Sequence, residues 1–114
     1  MLVAVAIVPS APVLVPELAG AAAEVTELRE AVLSAAAALP DRWIAVGVDN
    51  RDTVWGPPAA GTFAGYGVDV GVALSPHPDR SAQLPLSALI TGWIRGQVRP
   101  GGRAEVRCHA AGLA

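Results

Sequence analysis

The sequence predicts an α/β fold: a mostly parallel or mixed sheet of about four strands with two main helices packed on it. Three observations carry this. The chain opens on an unbroken apolar run, "MLVAVAIV". A segment with apolar residues at three- and four-residue steps follows at 20–39. A second short apolar run, "WIAVGV", stands at 43–48. Strand, helix and strand in that order form a βαβ unit, whose strands run parallel and whose crossover is right-handed.

The first run, Leu2 to Val8, is rich in Val and Ile and is stopped by Pro9. Continuous hydrophobicity is the mark of a strand covered on both faces. In 20–39, Val25, Leu28, Val32, Ala35, Ala36 and Leu39 recur on one helical face. Glu24, Glu27, Glu30 and Ser34 fall on other faces, with the acids near the N-terminus, where the helix dipole favours them. Pro40 closes the helix, and the second strand ends at Asp49-Asn50.

Residues 51–67, "RDTVWGPPAAGTFAGYG", are rich in Gly and Pro and read as a long ordered loop anchored by Trp55, Phe63 and Tyr66. "VDVGVAL", 68–74, is expected as a third strand and "SPHPDRSAQ", 75–83, as a solvated turn. In "LPLSALITGWIRGQ", 84–97, Leu86, Leu89, Ile90 and Trp93 line one face of a second helix, weakened by Gly92. "RAEVRCHA", 103–110, alternates and reads as a strand at a sheet edge.

The chain has 114 residues, one domain's worth, and is 53% hydrophobic, mostly through Ala and Val. Two helices are few for four strands, so residues 1–114 are expected to form a single α/β unit that is half of a larger domain or completes its sheet against a partner. The net charge is −2 with no basic block, which removes the electrostatic case for nucleic acid. Cys108 is the single cysteine, so an internal disulfide is excluded and a cytoplasmic location is the expectation. The opening run has no basic residue before it and is broken by Pro9, Pro12 and Pro16, unlike a signal peptide. No stretch reaches the roughly 18 apolar residues of a membrane span, so no membrane partner is expected.

Open α/β sheets gather ligands beyond the carboxyl ends of their strands. Two such ends are readable: Pro9-Ser10-Ala11-Pro12 and Asp49-Asn50-Arg51-Asp52. Parallel strands bring both to one rim, so Ser10, Pro12, Asp49 and Asn50 are the candidate pocket. Local turn geometry alone also places Ser, Asn and Asp at such corners. His77, between prolines, reads as a surface loop residue. Cys108 and His109 are adjacent on an alternating strand and face opposite ways, so they do not form a metal pair. "GTFAGYG" precedes a strand and is no dinucleotide fingerprint. Ser10, Ser34 and Ser75 show no nucleophile elbow.

"AIVPSAPVLVPELAG", "LPDRWIAVGVDN" and "GTFAGYGVDVGVALSP" together resemble the class III extradiol ring-cleavage dioxygenases. The closer resemblance is to an uncharacterised bacterial branch like their catalytic B subunit. The likeness runs over nearly the whole chain and corresponds to the N-terminal half of the family domain. It implies a non-haem Fe(II) held by two His and one carboxylate, with open positions for a catechol and O₂. It also implies a first His at the position of Ser10 and a second at the position of Asn50, with Asp49 retained. The carboxylate ligand and the acid/base His would lie beyond residue 114.

Serine hydroxyl and asparagine carbonyl are far weaker iron donors than imidazole. The expectation is therefore a degenerate dioxygenase-like protein with no catalytic residue and no metal ligand of its own, binding a small polar or aromatic ligand. No cofactor is expected, or Fe(II) if the family activity is retained with ligands from outside the chain. A non-catalytic interaction module is the other alternative. A homo-oligomer, or a missing C-terminal half, is the expected partner.

Overall fold

The computed structural model describes residues 5–9, 11–19 and 23–110. Helix α1 is the short turn Pro16–Ala19, preceded by a 3-10 turn at Pro12–Leu14, and α2 spans Ala23–Ala37. Strand β1 is Arg42–Asp49, β2 is Thr53–Trp55, and β3 is Ala59–Thr62. After a 3-10 turn at Phe63–Tyr66 come β4, Gly71–Ala73, and β5, Arg80–Ser81. Helix α3, Leu86–Val98, and strand β6, Arg103–Ala110, complete the fold.

The strands form two mixed three-stranded sheets, ordered β1-β6-β2 and β4-β3-β5. In the first, β1 runs parallel to β6 over its whole length, from Arg42 opposite Arg103 to Asp49 opposite Ala110. Strand β2 pairs antiparallel with β6, Thr53 opposite Cys108 and Trp55 opposite Val106. In the second, β3 is antiparallel to β4 and parallel to β5. The α/β class is as the sequence predicts.

Helix α3 is the centre of the molecule. Ser87 to Ile90 and Gly92 to Arg95 are all buried, because the helix packs on β1 and β6 on one side and on β3 and β4 on the other. A helix apolar on nearly all sides belongs in an interior. Leu14, Val15, Phe63, Leu74, Ile90 and Val106 fill the space around it. Burying a side chain such as Phe63 is worth about 2–3 kcal/mol.

Two arginines fasten the helices. Arg99 Nη2 donates to Ala37 O at 3.0 Å and its Nε to Leu39 O at 3.3 Å, so a cation sits at the C-terminus of α2 as the helix dipole prefers. Arg29 Nε on α2 donates to Leu14 O at 2.7 Å and holds the preceding turn.

Several expectations need correction. Residues 5–9 carry no strand, and Val5 and Ile7 are 66% and 93% exposed. The parallel neighbour of β1 is β6, and the remainder of the expected first strand lies outside the described residues. The loop expected at 51–67 contains β2 and β3, short strands defined by pairing with β6 and β4. Strand β6 is central, not an edge: it alternates because α3 covers one face while Glu105, Arg107 and His109 line the other. Among the described side chains of α2 the buried ones are Val32 and Ala36, with Leu28 turned to solvent.

Candidate functional site

The carboxyl end of β1 opens into a cleft of ≈ 770 Å³, within the usual range for small-molecule sites. Asp49 and Asn50 lie on its wall, followed by Arg51 from the turn, Thr53 and Trp55 from β2, and Tyr66 from the 3-10 turn after β3. The Asp52 carboxylate accepts a 2.7 Å hydrogen bond from Ala110 N, pinning this turn to the end of β6. On the far side, Thr62 Oγ1 donates to Asp69 at 2.8 Å and accepts from Ala64 N, closing the 3-10 turn that carries Tyr66. Phe63, fully buried, anchors the same turn, its ring centroid 6.1 Å from that of Tyr66.

Thr53 and Trp55 are alternate residues of β2, so their side chains share one face of the sheet. Their register partners, Cys108 and Val106, are buried beneath α3, which makes this the inner face. The Thr53 hydroxyl oxygen and the Trp55 indole nitrogen are both buried, yet neither has a hydrogen-bond partner among the described residues. Most buried polar groups in native structures are paired, so two orphans side by side on a cleft wall call for an explanation. The cleft wall thus carries a carboxylate, an amide, a guanidinium and two aromatic rings, with the two unspent hydrogen-bonding atoms buried within it.

The structure brings Asp49 and Asn50 into this cleft. Pro12, half-buried in its 3-10 turn, is not among the lining residues, and Ser10 lies outside the described residues. Sequence reasoning missed Thr53 and Trp55. The triplet "TVW", β-branched and aromatic, was the available signal for a strand in that segment. His77 is exposed, and Cys108 is buried while His109 points to solvent, as alternation requires. Among the described residues, no three His, Cys, Asp or Glu side chains gather as a metal-binding group.

A second cleft of ≈ 690 Å³ lies between α1, the β3-β4 pair and α3. Its Arg95 is committed to structure: Nε donates to Ala73 O at 2.8 Å and Nη1 to Pro100 O at 2.6 Å. Burial lowers the pKa of this guanidinium below its ordinary value.

No family model, no curated protein and no solved structure matches the chain. No helix among the described residues is long and apolar enough to cross a membrane.

Proposed function

We propose that the chain is a non-catalytic, small-molecule-binding relative of the class III extradiol dioxygenases, taking a small polar or aromatic ligand in the cleft at the end of β1. One observation carries the reading: the unpartnered Thr53 hydroxyl and Trp55 indole N–H lie buried in the wall of the cleft that Asp49 and Asn50 also line. A ligand hydroxyl would pair with Asp49 or the Asn50 amide, and a small shift of the wall that uncovers the indole N–H would let a ligand oxygen accept from it. Trp55 and Tyr66 offer ring faces for stacking.

Iron fits these residues poorly. Asp49 is one hard donor, Asn50 supplies an amide where imidazole is needed, and no reaction step is assigned to them. The cytoplasmic assignment rests on the lone, buried Cys108.

Titration of isotope-labelled protein with catechol, phenol and benzoate, followed by the indole and backbone N–H resonances, tests the reading. Catechol is expected to shift the Trp55 indole signal, and Trp55→Phe or Asn50→Ala to weaken binding about tenfold each. No shift at millimolar catechol, or shifts untouched by both substitutions, defeats it. The kinship has its own test. Ser10→His combined with Asn50→His is expected to raise Fe(II) affinity over either single change, and equal affinities would remove the alignment.

Among the described residues no strand pairs with the outer edge of β1, which favours a second reading, an interaction module.

A further inference from the structure

Pro85 and Leu89, at the start of α3, border the Asp49-Asn50 cleft, whereas the second cleft runs along residues 92–97 of the same helix. Gly92 and Gly96 lie one turn apart and share a face of α3. A Cβ on Gly92 would come within 3.1 Å of Ala73 O and 3.2 Å of Val72 Cβ, so β4 closes that end. A Cβ on Gly96 would meet nothing within 4 Å, and there the space opens into the ≈ 690 Å³ cleft. At roughly 100° per residue, Arg95 and Trp93 stand on either side of this glycine line.

Both side chains line the cleft, and each is 6% exposed. Arg95 Nε is engaged by Ala73 O, and Nη1 by the carbonyls of Arg99, Pro100 and Gly102. Its Nη2 has no hydrogen-bond partner among the described residues, and neither has the Trp93 indole nitrogen. Unlike the Thr53 hydroxyl and the Trp55 indole nitrogen, these two donors are not sealed within the protein. Arg95 forms no ion pair among the described residues. Buried charges are ordinarily paired, so a buried guanidinium with a free N–H on a cleft wall calls for an anion.

The α1 wall supplies the opposite charge. Glu17 lines the same cleft, is exposed, and has no ion-pair partner among the described residues. Between the two charges the walls are apolar, with Pro16, Val70, Val72 and Pro78.

We infer that this cleft binds a small zwitterion of the amino-acid class with an apolar side chain. Its carboxylate accepts from Arg95 Nη2 and the Trp93 indole, and its ammonium faces Glu17. A plain carboxylate would bring a second negative charge to Glu17, and a plain amine would leave Arg95 without an anion. The four carbonyls hold the guanidinium in place before the ligand arrives, which lowers the entropic cost of binding. The site shares no lining residue with the Asp49-Asn50 cleft and stands or falls apart from the ligand reading there.

Titration of the isotope-labelled full chain with leucine, followed by the Trp93 indole and Arg95 side-chain N–H resonances, tests the inference. Leucine at millimolar concentration is expected to shift both. Isocaproate, which is leucine without its amine, and isoamylamine, which is leucine without its carboxylate, should each bind about tenfold more weakly. Glu17→Gln should weaken leucine about fivefold and leave isocaproate no weaker. Arg95 itself holds the fold, so the cleft is blocked from Gly96 instead. Gly96→Leu fills it from a position with no neighbour, and should abolish the leucine response without lowering the urea midpoint.

No shift of either resonance at millimolar leucine overturns the inference. Isocaproate binding as tightly as leucine, or leucine binding indifferent to Glu17→Gln, overturns the zwitterion. A leucine response that survives Gly96→Leu overturns the site.

Discussion

Gly47 and Ser87 lie against each other so closely that a Cβ on the glycine would overlap the serine side chain. Gly47 is the register partner of Cys108, and Ser87 Oγ is 3.4 Å from Cys108 Sγ, so the first turn of α3 rests across both parallel strands. This close approach seats the helix on which both sheets pack. It also fixes the end of β1, two residues on, where the cleft begins.

Gly47→Ala should therefore destabilise the fold by about 1–3 kcal/mol, the usual cost of overpacking a fitted contact. Urea unfolding followed by circular dichroism measures it. A midpoint equal to that of the unaltered chain would mean that α3 does not press on β1 here.

Gly96, on the same helix, gives the opposite expectation. A Cβ there meets nothing within 4 Å, and the residue is exposed. Gly96→Ala should stabilise by about 0.5–1 kcal/mol through helix propensity alone. The two substitutions are chemically identical, so opposite signs in one unfolding assay isolate the packing effect at Gly47.

Thr53→Val separates a binding role from a structural one. The buried hydroxyl has no partner among the described residues, so its removal should leave stability unchanged or raise it by up to about 1 kcal/mol. Catechol affinity should nonetheless fall about fivefold, the loss of one hydrogen bond. Thermal unfolding and the indole titration together read both. A clear loss of stability would mean that the hydroxyl holds the fold.

Helix α3, helix α2, β1 and β6 were legible because each is long enough for its apolar period to show. Val32 and Ala36 versus Leu28 mark the limit on α2. Period locates a face, but the neighbour, here α3 and the Pro12–Leu14 turn, decides which residues of it are covered. Strands β2 and β3 were not legible, because strands of three and four residues among Gly and Pro are defined by their pairing partners. The alternation of β6 suggested an edge, yet one-sided cover by α3 produces the same pattern in a central strand. Asp49 and Asn50 could be placed from the rule that sites follow strand ends. Thr53 and Trp55 could not, because the segment that carries them reads as loop from its Gly and Pro content.

Arg95 gives the last prediction. Its Nε binds Ala73 O, and its Nη1 lies 3.3, 2.6 and 3.2 Å from the carbonyls of Arg99, Pro100 and Gly102. It ties β4 to the turn between α3 and β6, although burial disfavours its charge. Arg95→Met should cost about 3 kcal/mol, since buried carbonyls lose a charged donor. Arg95→Lys should recover only part of this, because a point ammonium does not reproduce the fork of a guanidinium. The lowered pKa means that the folded state holds this proton less tightly than the unfolded chain. Stability linked to Arg95 would therefore rise with pH, and only where the guanidinium begins to lose its proton, far above neutrality. Between about pH 6 and 9 the loss in Arg95→Met should be constant. Urea unfolding across that range reads it, and a loss that varied with pH would mean that a second titrating group shares the contact.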